Sequence, residues 1–142
     1  MKNLIKIIFI ITSISFFYSF QNQKKLNLNA KLLGIEYFSK SECSEKLPIM
    51  VRITYSLSNI NSKEIKMIHT FPDGISITKT VTELDKKGNI IYEFCTSKDK
   101  EKSFTTVFIA SDGIKSNIIT VNSNPKNAKI IEGTAPQTIK LN

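Results

Sequence analysis

The chain has no tryptophan, a single histidine (His69) and two cysteines (Cys43 and Cys95). Each scarcity removes chemistry. Zinc, copper and two-metal centres draw on several His or Cys ligands, and His69 alone cannot supply them. The cysteines are too far apart for a Cys-x-x-Cys redox motif. No Gly-x-Ser-x-Gly elbow places a serine nucleophile, so a Ser-His-Asp arrangement has no local signature. Two pairs of acids stand beside turns, Glu42 with Glu45 and Glu83 with Asp85. Neither pair reaches the ligand density of a dedicated calcium loop, and both read as ordinary surface acids. No catalytic residue, metal or cofactor is expected, and His69 reads as a structural or rim residue of the third strand.

The charge points to no nucleic-acid partner. Lys and Arg number 20 against 12 Asp and Glu, a formal net charge of +8. Lysines such as Lys31, Lys40, Lys46, Lys63, Lys79, Lys115 and Lys140 are scattered, and the densest run, Lys98-Asp99-Lys100-Glu101-Lys102, alternates in sign. A nucleic-acid surface calls for a cationic stripe with stacking aromatics, and neither is visible.

Residues 1–20 combine Lys2 and Lys6 with an apolar run from Ile7 through Tyr18, the layout of a secretory signal peptide. Thr12, Ser13 and Ser15 interrupt the run, which falls short of the roughly 20 apolar residues of a membrane-spanning helix. Cleavage near 19–21 leaves a polar segment, 21–27. No later stretch could span a membrane, and no cysteine stands at the boundary to carry a lipid anchor. Removing Lys2 and Lys6 lowers the formal charge from +8 to +6. The absence of any Asn-x-Ser/Thr acceptor, with many Lys, Asn and Ile residues, points to a bacterial source with an AT-rich genome, and export to the periplasm or medium.

The rest of the chain alternates with the period of β-strands. In FTTVFIASDGIKSNIITV (104–121), Phe104, Thr106, Phe108 and Ala110 share one face, Asp112-Gly113 makes a turn, and 117–121 returns as a second arm. The clearest single strand follows Pro48: Ile49, Val51, Ile53, Tyr55 and Leu57 face one way, and Met50, Arg52, Thr54 and Ser56 the other, wetter way. Leu28, Leu32, Leu33, Ile35, Tyr37 and Phe38 belong to a first strand, with Gly34 marking a bulge or change of face. Strand 75–84 has an inward set, Ile75, Ile77 and Val81, interrupted by Lys79, and an inward charge marks a protected sheet edge. With Ile90, Tyr92 and Phe94 facing inward from the next strand, seven strands are expected, at about 30–38, 48–57, 64–71, 75–84, 89–95, 103–111 and 116–122. The sandwich then spans 28–122. Residues 123–142 form a tail whose β-prone pieces, 128–132 and 138–141, lie along an exposed edge or order on a partner.

The pattern Phe104-x-Thr106-x-Phe108-x-Ala110-x-Asp112-Gly113-x-x-Ser116 resembles the closing hairpin of immunoglobulin-like domains of the fibronectin type III and PKD kinds. The resemblance implies a seven-stranded antiparallel immunoglobulin-like β-sandwich, an all-β fold that carries no particular activity. Phe104 stands where many such domains have tyrosine, so the hydroxyl of a tyrosine corner is missing.

That fold also bears on the cysteines, for which export already makes a disulfide the default. In such a sandwich the first, second and fifth strands share a sheet. The loop carrying Cys43 then lies at the same end as Cys95, and the two are expected to bridge.

The function expected is recognition: an exported, non-catalytic domain binding another macromolecule, a protein of the envelope or the extracellular space, through edge 75–84 or loop 58–63. The alternatives are a structural or accessory envelope component without a soluble ligand, and a carbohydrate-binding module. The last needs exposed flat rings, and beyond the leader the chain has only Tyr37, Tyr55 and Tyr92 as tyrosines.

Overall fold

A computed structural model describes residues 27–39, 43–60, 62, 64–81, 84 and 88–135. The leader, residues 21–26, Glu42, Glu83, Asp85 and the last β-prone piece, 138–141, lie outside the described residues. Eight strands are formed: β1 (Asn29–Phe38), β2 (Ile49–Ser58), β3 (Ile65–Thr70), β4 (Ser76–Val81), β5 (Asn89–Thr96), β6 (Lys102–Ala110), β7 (Ile119–Ser123) and β8 (Ile130–Ile131). They make two four-stranded sheets, ordered β5-β2-β1-β8 and β4-β3-β6-β7. All neighbours are antiparallel except β1 and β8, where Tyr37 and Phe38 run parallel to Ile130 and Ile131.

The eighth strand corrects the expected count of seven. A parallel pairing of two residues is too short to leave a periodic signal in sequence. It nevertheless fixes the tail, because the Ser39 amide donates to the Ile131 carbonyl at 3.0 Å. The 128–132 piece thus lies along an edge of the sandwich, the first of its two expected placements.

The alternation in β2 delivers the core. Val51, Ile53 and Tyr55 are fully buried, and Ile49 and Leu57 nearly so. Facing them from the other sheet are Ile65, Met67, Phe104, Phe108 and Val121. Tyr55 and Phe108 meet edge to face with centroids 5.3 Å apart, the arrangement that ring quadrupoles favour. In β1 the register slips between Leu32 and Gly34, leaving Leu33 unpaired and 51 % exposed. The slip moves the inward positions from Ala30 and Leu32 to Ile35 and Tyr37, the change of face expected at Gly34.

The closing hairpin turns at Asp112-Gly113 as expected. Gly113 has φ +82°, its amide donates to the Ala110 carbonyl at 2.9 Å, and the Asp112 carboxylate accepts from the Ile114 amide at 3.0 Å. The second arm starts later than expected, at Ile119 instead of 116. Before it, side chains take over from the ladder: the Ser116 hydroxyl accepts from the Phe108 amide at 3.0 Å, and the Asn117 side chain bonds both the amide and the carbonyl of Ala30, at 2.8 and 3.0 Å. With the Tyr37 hydroxyl accepting from the Asn124 amide at 3.0 Å, the Asn117 bonds stitch the two sheets together along the β1/β7 side.

Two other expectations change. Arg52, placed on the wetter face, is only 8 % exposed; its guanidinium donates to Glu93 at 2.6 Å and stands 5.4 Å from the Phe38 ring centre. The outer face of that sheet is therefore partly covered. Ile75, just before β4, and Ile77 within it are 60 % and 40 % exposed and do not enter the core. Ile77 does share the inward register, opposite His69. β4 is the edge strand of its sheet, and its inward face is only partly covered.

Candidate functional site

The disulfide forms where the topology placed it. β1, β2 and β5 share a sheet, and Cys43 bonds Cys95 with Cα atoms 5.7 Å apart. Tyr92 and Phe94 face inward on β5, so Cys95 points outward, and the bridge fastens the β1–β2 connection over the outer face of the sheet.

His69, the residue most open to a catalytic reading, is fully buried in the sandwich. Its ring lies 4.2 Å from the Tyr92 ring centre and 4.9 Å from that of Phe104. Nδ1 is 2.9 Å from the Thr106 hydroxyl, which is 3.0 Å from the Tyr55 hydroxyl, while Nε2 has no hydrogen-bond partner among the described residues. Burial first, and the Lys79 charge second, lower its pKa to about 4; burial raises that of Tyr55 to about 12, against the opposing hydrogen bond from Thr106. The imidazole is therefore neutral at neutral pH. The polar chain Tyr55–Thr106–His69 draws one residue from each of β2, β6 and β3 and ties the two sheets together through the core.

Thr106 is the centre of that chain. Replacing it with valine keeps the shape but strands the Tyr55 hydroxyl and His69 Nδ1 in a buried site. Thr106→Val is expected to lower stability by about 2–4 kcal/mol, and Tyr55→Phe, which leaves the Thr106–His69 bond intact, by about 1 kcal/mol. Urea denaturation midpoints of the two variants check the difference.

The other sequence candidates do not converge. Glu45 is exposed, and its partner Glu42 is outside the described residues, as are Glu83 and Asp85. Tyr37, Tyr55 and Tyr92 are all buried, so none of these three offers a flat stacking face to solvent. Among the described residues, no group of three or more His, Cys, Asp or Glu side chains gathers as a metal would require, and no helix is long and apolar enough to cross a membrane.

What the fold does assemble is an open flank. On the side away from β1 and β7, the sheets end in β4 and β5, and no hydrogen bond joins these two strands among the described residues. Two lysines take core-facing positions there: Lys79 opposite Met67, and Lys102 on the same face of β6 as Phe104. Their ammonium groups stand 4.7 Å from the Tyr92 ring centre and 4.6 Å from that of Phe94, a favourable setting for a cation over a π face. Burial, with the nearby Lys100 charge second, lowers the pKa of Lys102. Phe71 and Phe94, both half-buried, complete the shelf around Phe104, with centroids 5.5 and 6.2 Å from it.

Sequence pattern flagged Lys79 as an inward charge on an edge strand, and the structure agrees. In sequence Lys102 belongs to a solvated, sign-alternating run. Its signal was there in the parity of β6, two positions before Phe104. Compared with models of protein families, with curated proteins and with solved structures, the chain matches none of them.

Proposed function

We propose that the chain is an exported, non-catalytic immunoglobulin-like domain that recognises another protein, in the cell envelope or outside the cell, through the exposed edge formed by β4. The observation that carries this reading is β4 itself. Among the described residues it is paired on one side only, every residue but Val81 is exposed, and Ile75 and Ile77 present apolar surface at that edge. An unpaired strand with apolar neighbours is a template for a partner strand.

The strand order supports the superfamily. The first, second and fifth strands share one sheet and the third, fourth, sixth and seventh the other, as in fibronectin type III domains. The Cys43–Cys95 bridge is compatible with an oxidising compartment outside the cytosol. Burial of all three tyrosines argues against the carbohydrate-binding alternative.

The test is affinity capture from envelope and secreted fractions with the disulfide-intact chain, beside an Ile75→Asn, Ile77→Asn double variant. One stoichiometric partner, retained by the wild type and lost with the variant, is the expected result. Heterogeneous material released by salt, or a partner held equally by both chains, would overturn the reading in favour of a structural envelope component.

A further inference from the structure

The lysines of the open flank select the kind of partner, an inference that rests on the β4 edge being the recognition surface. A lysine at an inward register position is normally a misfit, since the position should feed the core. Here there are two, on β4 and β6, converging on neighbouring rings of β5. Among the described residues neither is paired with a carboxylate, and the described ion pair is Arg52 with Glu93. The cation–π contacts hold the ammoniums in place without neutralising them. Beside them runs the free edge of β4, with Ile77 left open on the same side.

Tyr92 and Phe94 are two residues apart on one face of β5, their centroids are 5.7 Å apart, and each carries one of the ammoniums. A second copy of this chain is the wrong occupant. It would set like charges against each other, since each chain carries a formal net charge of +8, or +6 without its leader.

We propose that this flank takes an extended acidic segment of a partner protein, added as a strand along the free edge of β4. Carboxylates on the inward face of the segment are drawn to the ammonium of Lys79 at the edge and to that of Lys102 beyond it, over the Phe94 ring. The backbone edge supplies affinity, the two lysines supply selection for acidic side chains on the inward face of the segment, and Ile77, on the same face as Lys79, packs against the aliphatic stems of those side chains. The same lysines that keep copies of the chain apart thereby admit the partner.

The experiment titrates the disulfide-intact chain with a fluorescent peptide of alternating Val and Glu. Controls are the Val/Gln peptide and the Val/Glu peptide N-methylated at alternate residues, which cannot donate to a sheet edge. Expected are saturable binding of the first, binding about tenfold weaker for the Gln peptide and for the Lys79→Gln, Lys102→Gln variant, and loss with N-methylation. Amide resonances of β4 should shift on binding. Equal binding of the N-methylated peptide, or no effect of the lysine substitutions, would overturn the proposal, since bulk charge would then explain the binding. So would no binding of any peptide at low salt. Should capture yield a partner that the Ile75→Asn, Ile77→Asn variant loses while the peptides do not bind, the recognition reading stands and the acidic strand falls.

Discussion

Reducing the Cys43–Cys95 bridge is expected to lower stability by about 4 kcal/mol, because the bridge closes a loop of 52 residues and cross-linking so long a loop removes much of the unfolded chain's freedom. For a domain of this size that is a fall in Tm of roughly 15 °C or more. The cost sits mainly in the unfolded state. β1, β2 and β5 are held by ladders, from Asn29↔Ser58 through Phe38↔Met50 with one slip at Leu33, and from Ile49↔Thr96 through Ser56↔Asn89, and these do not need the bridge. Reduced protein should therefore keep its far-ultraviolet spectrum at room temperature while melting much earlier. A native-state share is expected as well: Phe38 is 3 % exposed on the bridged face, and freeing the β1–β2 connection lets water reach it. A Cys43→Ser, Cys95→Ser variant should match the reduced protein. Thermal melts of oxidised, reduced and doubly substituted chains decide it. A shift of only a few degrees would mean that the unfolded chain is already confined in this region.

Much of this architecture could be read from residues whose environment is set by their own strand. Ile49 through Leu57 alternate without a break, and every second one is buried, because a strand under a single layer has only two sides. Leu33-Gly34 shifts face, Asp112-Gly113 turns, and Lys79 marks an edge, each for a local steric or electrostatic reason. The disulfide was legible because topology brought two distant positions to one end of one sheet. What stayed hidden depends on how the sheets stack. Nothing within β6 says that Thr106 will meet both Tyr55 and His69, since that depends on the registers of β2 and β3 across the core. Asn117 and Ala30 are 87 residues apart, and their pairing follows only once β7 lies beside β1. Lys102 shows the limit from the other direction. Its parity is inward, but whether an inward lysine is buried, or reaches out over a ring at an open flank, depends on where the opposite sheet ends.

His69 converts that hidden packing into a dependence on pH, with an expected loss of about 3 kcal/mol between pH 7 and pH 4. The sign follows from which state binds the proton. In the unfolded chain the imidazole titrates near its ordinary value of about 6.5. In the fold, burial and the Lys79 charge hold it to about 4. Above pH 6.5 both states are neutral and the contribution is constant. As the pH falls through 6.5 the unfolded chain takes up a proton that the folded chain refuses, so stability declines at up to about 1.4 kcal/mol per pH unit until the folded imidazole protonates near pH 4. The groups facing His69 are Thr106, Tyr92, Phe104 and Lys79, none of which can offer a negative charge to an imidazolium in this range. Carboxylates elsewhere also titrate in acid, so the wild type must be compared with His69→Leu. Their shared background cancels in the difference between the two stability curves. The variant starts less stable, having lost the Thr106 bond to Nδ1, but its urea midpoint should fall less steeply between pH 6.5 and 4, so the curves converge on acidification. Parallel curves would mean that His69 protonates in place within the fold, and the neutral, buried imidazole linking Thr106 to the aromatic shelf would have to be given up.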